Sequence, residues 1–155
     1  MIALVVVWLL QDFFQVFTMG ILIAPNVFLM SVIFMALKPR GEFENFGVFI
    51  WAAFLGGLVW DLRWTNLPGL TAAVNSAMTA AACIIWRKMP VQGRSVALFT
   101  IMTSVSMVVS GLVHFLFWTM PSQAALRQLA VQQLTGVPVI AVISLIFWRV
   151  SDRHV

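Results

Sequence analysis

Charged residues in this chain are spaced so that they leave gaps of membrane length. No Asp, Glu, Lys or Arg falls at 13–37, 64–86, 95–126 or 128–148. A soluble domain carries a charge at roughly every fourth residue. Here only 9% of residues are charged, 62% are hydrophobic, and mean hydropathy is +1.01. Crossing the hydrocarbon of a bilayer takes roughly 20 apolar residues in a helix. The gaps therefore predict an all-α integral membrane bundle, folded as a single domain over 1–155.

Six spans are expected, at about 2–18, 24–37, 46–62, 68–87, 95–118 and 128–149. Pro25 and Pro68 suit the first turn of the second and fourth helices, where a missing N–H is harmless. "RKMPVQGR" and "MPSQAALRQ" read as the short connections around the fifth. "MIALVVVWLL" has no basic residue before its apolar stretch, so it reads as a first span rather than a cleaved signal.

The cations set the orientation. With the N-terminus inside, Lys38, Arg40, Arg87, Lys88, Arg94, Arg149 and Arg153 fall on the cytoplasmic side, and only Arg63 and Arg127 outside. That is the positive-inside pattern, with both termini cytoplasmic. Trp60, Trp64 and Trp118 then mark the outer interface and Trp86 and Trp148 the inner one. The same pattern explains the net charge of +4 without nucleic acid.

Helices in lipid associate through small residues that let backbones approach. Ala52 and Gly56, and Ala53 and Gly57, are each four apart in span 3. In span 4 the same spacing runs through Gly69, Ala73, Ala77 and Ala81. Spans 3 and 4 are expected to pack as a tight hairpin, with one of these rows either internal or open to a partner's helix.

Polar side chains at membrane depth are costly and concentrate at functional sites. Asp12, Asp61, Arg63 and His114 all fall in the outer half of the bundle, where they would form one polar cluster. Asp61 and Arg63 either sit at headgroup depth, with Asp61 capping the turn formed with Pro68 and Gly69, or take part in that cluster. Asp12 is expected to hydrogen-bond to His114 or Asn75 within the bundle. A histidine in such a place is more often a packed, satisfied side chain than a ligand or proton carrier.

Enzyme chemistry finds no support. The chain has no HExxH, CxxC or phosphate-binding glycine loop. Two histidines and the lone Cys83 are too few for a dedicated metal centre. Cys83 reads as a small packing residue, and no cofactor is expected.

"FLGGLVWDLRWTNLPGLTAA" resembles the central signature of the MreD family of rod shape-determining membrane proteins. Gly57, Leu58, Asp61, Leu67, Gly69 and Leu70 occupy its Gly-Leu-x-x-Asp span end and the following turn. "APNVFLMSVIFMALKPRGEF" is similar to a second family segment through Pro25, Lys38, Pro39 and Arg40, with Asn26 where the family commonly has Asp. The resemblance implies a non-enzymatic scaffold in the bacterial inner membrane. Such a scaffold binds the bitopic protein MreC and serves the elongation complex of MreB, RodA and a transpeptidase in lateral peptidoglycan synthesis. It also implies that Asp61 fixes a hairpin which presents a surface to a partner helix. The alternative is the substrate-binding S component of an energy-coupling-factor vitamin transporter, whose fold the bundle would share. Span 1 lacks the small-residue ridge by which S components dock their energising partner. An apolar groove would suit the scaffold, and a closed polar outer cavity the transporter.

Overall fold

The computed structural model describes residues 2–17, 25–38, 45–65, 67–117 and 122–152. They form six helices: α1 (Ile2–Phe17), α2 (Val27–Leu37), α3 (Phe46–Trp64), α4 (Leu70–Lys88), α5 (Val96–Leu116) and α6 (Ser122–Ser151). A single 3₁₀ turn, Val91–Gly93, lies between α4 and α5. No strand occurs among the described residues. Three helical stretches are long and apolar enough to cross a bilayer: Phe46–Trp64, Val96–Leu116 and Leu129–Ser151. α1 and α2 are apolar but shorter. α4 has the length, at 19 residues, but Thr71, Asn75, Ser76 and Thr79 dilute its hydropathy.

Three boundaries differ from the sequence expectation. Asn26, not Pro25, starts α2: its side chain accepts from the Leu29 amide at 3.0 Å, leaving Pro25 just outside the helix. Gly69 caps α4 at φ +95°, so Pro68 lies in the turn and not in the first helical turn. Helix α6 begins at Ser122, inside the expected connection. Ala124, Ala125, Leu126, Arg127 and Gln128 are good helix formers and carry the helix past its apolar stretch.

α2 is the central helix. It packs on all five others, and its Leu29, Met30, Val32 and Ile33 are fully buried. That sheathing explains how an 11-residue helix persists. α1 lies at the edge, with Leu9, Leu10, Phe13 and Phe17 exposed as an apolar surface. The two ends of the bundle differ in chemistry. Where α4 and α6 finish, Phe99 and Phe147 stack at 4.2 Å between ring centroids. Phe34 and Trp86 meet Phe147 edge-on. Trp86 is thus a core residue, not the interface anchor its position suggests, whereas Trp148 is exposed. The other end, where α3 finishes and α2 and α4 begin, is polar.

α3 and α4 share the most extensive packing of any pair. The buried row on α3 is Ala53, Gly57 and Asp61. A Cβ on Gly57 would fall 2.6 Å from the Ala72 Cα, so only glycine permits this backbone approach. Ala52 and Gly56 form a half-buried row beside it, against which the Phe28 ring seats. On α4 the inward face is Thr71, Ala72, Asn75, Thr79, Ala82 and Cys83. The Gly69, Ala73, Ala77 and Ala81 row is therefore not the hairpin's packing face. Ala73 and Ala77 are exposed, and Gly69 and Ala81 are half-buried. The reason is polarity: Thr71 and Asn75 find partners inside, in His114 and Asn26, while alanine costs little on an exposed apolar face.

Candidate functional site

At the polar end, helices cap one another. The first amides of any α-helix lack intrahelical acceptors. Gly69, the cap residue of α4, has no side chain to supply one. Asp61 supplies it from α3: its Oδ2 accepts from the Ala72 amide at 3.2 Å, and its Oδ1 from the Thr65 hydroxyl at 3.2 Å. A carboxylate at a helix N-terminus also complements the helix dipole. Asp61 is fully buried among the helices. α2 is treated the same way. Asn26 takes the Leu29 amide, while Gln11 of α1 accepts from the Phe28 amide at 2.7 Å. Asn26 then donates to the Asn75 carbonyl oxygen at 2.9 Å, joining α2 to α4.

Asp61 and Arg63 do not pair. Two residues apart on a helix, they point in different directions. Arg63 reaches Asp12 of α1 at 3.1 Å, and the Trp64 indole N–H donates to the same Asp12 oxygen at 2.8 Å. Asp12 thus binds neither His114 nor Asn75. His114 Nδ1 lies 2.7 Å from the Ser110 carbonyl, which can only accept, so Nδ1 carries the proton. In the neutral ring, Nε2 then accepts from the Thr71 hydroxyl at 2.8 Å. Asp12, Asp61 and His114 share one end of the bundle, but no hydrogen bond or ion pair among the described residues joins them into one cluster. Pro68 is exposed in the turn.

Between these ties lies a partly open cavity of about 140 Å³. Its aromatic wall is Trp8, Trp60 and Trp64. Trp8 is pinned by donation to the Gly56 carbonyl at 3.0 Å, and it meets Trp60 edge-on at 6.4 Å. Amides of Gln11, Asn26, Asn75 and Gln132 line another wall, with Thr71, Ser110 and His114 opposite. None of the lining residues is Asp, Glu, Lys or Arg. A shallower, mainly apolar groove runs along α1 past Leu9, Leu10 and Phe13 to Asp12 and Arg63.

Gln11, Thr71 and Gln132 escaped the sequence reading. The signal was present, since each is a hydrogen-bonding side chain in an apolar stretch. Pro39, Arg40, Trp118 and Arg153, named above for the loops and interfaces, lie outside the described residues. No group of three or more His, Cys, Asp and Glu among the described residues is placed to hold a metal. Comparison of the chain with protein-family models, curated proteins and solved structures finds no match.

Proposed function

We propose that this chain is a non-enzymatic six-span scaffold of the MreD type, with both termini cytoplasmic, in the bacterial inner membrane. Its partner is an MreC-like bitopic protein of the elongation complex. One observation carries the reading. The hairpin that Asp61 fixes turns a row of small residues, Ala73 and Ala77 at its centre, away from its own bundle. In lipid, rows of this spacing accept another helix closely. Asn26 departs from the aspartate common in the family, and it caps α2 as an aspartate would. It also donates to Asn75, which a carboxylate cannot do.

The test is co-purification with the cognate MreC-like protein. Ala77 is exposed, so Ala77→Leu fills the row without disturbing the fold. Partner recovery should fall at least ~10-fold at unchanged thermal stability, the scale expected when close helix packing is blocked. Unchanged recovery removes this face from the proposal.

The polar cavity favours the second reading, an S component holding a vitamin. Size weighs against it. Pockets for ligands of that bulk span about 300–1,000 Å³, and this one is about 140 Å³. Co-purification of coupling ATPase subunits would move the assignment to that reading.

A further inference from the structure

The cavity at the polar end has a chemistry that selects its own occupant. Three buried hydroxyls on α5 allow a comparison. Thr103 and Ser106 each donate back to the carbonyl four residues earlier, at 2.8 Å. Ser110 does not. It is 1% exposed, it lines the cavity, and its Oγ has no hydrogen-bond partner among the described residues. A buried hydroxyl left unpaired costs about 1–3 kcal/mol, so its usual satisfaction by a bound group is the economical reading.

Three ligand classes fail on the lining. A charged group would lose its hydration with no countercharge among the lining residues. Asp12 and Arg63 are committed to each other. A wholly apolar group would leave the Ser110 hydroxyl unpaired. A quaternary ammonium would use the indoles and leave Ser110 unpaired as well. What remains is an uncharged molecule with hydroxyls on its rim and an apolar face. The indoles fit that face. Trp8 and Trp64 spend their N–H groups on Gly56 and Asp12, so they offer ring surface and not donors. The cavity, about 140 Å³ and partly open, suits a small ligand and not a bulky one.

The geometry points to a binding site for one uncharged sugar ring, seated against the Trp8, Trp60 and Trp64 wall with a hydroxyl on Ser110. The site is independent of the scaffold reading, since it lies inside the bundle and the Ala73–Ala77 row outside.

The sugar has two sources, free in solution or carried on a lipid, and the experiment separates them. The full chain is purified in a detergent without a sugar headgroup and titrated with glucose, N-acetylglucosamine and glucuronate, reading tryptophan emission and thermal stability. In parallel it is placed in phosphatidylcholine nanodiscs with or without a monoglucosyl lipid. A saturable response to a neutral sugar, at least ~10-fold weaker for glucuronate, supports the site with a free ligand. A response to the glycolipid alone supports it with a lipid-borne one. Ser110→Ala should weaken either response about 3–10-fold, the loss of one hydrogen bond. No saturable response in either arm overturns the proposal. So does equal binding of glucuronate, or sugar binding that Ser110→Ala leaves untouched. A Ser110→Ala protein that is more stable and binds the sugar as the parent does would mark Ser110 as a dry, unpaired hydroxyl and overturn the proposal.

Discussion

Replacing Asp61 tests whether one side chain holds the α3–α4 hairpin. Asp61→Ala removes the only acceptor described for the Ala72 amide and leaves that buried donor unpaired. It also releases the Thr65 hydroxyl, which keeps the Asp61 backbone carbonyl as a second partner at 3.2 Å. An unpaired buried donor costs about 1–3 kcal/mol, and a lost helix cap about 0.5–2 kcal/mol. These describe the same bond, so they do not add, and about 2–3 kcal/mol is expected. Asp61→Asn is the informative companion. Its amide oxygen can still accept from Ala72, while its NH₂ can donate to the Thr65 oxygen. Only the charge is lost, worth about 1 kcal/mol near a helix end. In a chain of this size 1 kcal/mol shifts Tm by roughly 2–4 °C. Thermal unfolding in detergent should therefore show a drop of about 5–10 °C for Asp61→Ala and about 2–4 °C for Asp61→Asn. Equal drops would mean that charge, not hydrogen bonding, is what the hairpin needs. A change in Asp61→Ala within the error of the measurement would refute the capping argument.

Gly57→Ala forces α3 and α4 apart, because the clash is with backbone and no side chain can swing away. A loss of about 1–3 kcal/mol is expected, read as a lower Tm, and a silent substitution would show that the interface yields freely. Arg63→Ala should cost at most about 1 kcal/mol, since Arg63 is half exposed. Asp12→Ala should cost more by the same thermal assay, because Asp12 holds both Arg63 and the Trp64 indole. Equal costs would assign the whole effect to the ion pair.

The apolar gaps made the helices legible, and α3 and α5 begin and end within about two residues of the expected spans. The orientation of α4 was not legible from its alanines. Spacing of four identifies a face but does not say whether that face turns inward. The deciding signal was Thr71 and Asn75, whose partners lie inside the bundle and which lipid cannot satisfy. The separation of Asp61 from Arg63 follows from helical geometry alone. Their actual partners, Ala72 and Asp12, depend on which helices stand beside α3, and local pattern carries no record of that. The cavity was illegible for the same reason, since its lining comes from all six helices.

The place of α2 has a consequence for how the protein is made. Eleven residues rise about 16 Å, half the thickness of the hydrocarbon. Threaded alone from the translocon, such a segment would find no comfortable depth in the bilayer. Its N-terminal amides depend on Gln11, already synthesised, and its Asn26 depends on Asn75, not yet made. The packing that sheathes α2 is therefore complete only once α4 has been made, a late event for an early segment.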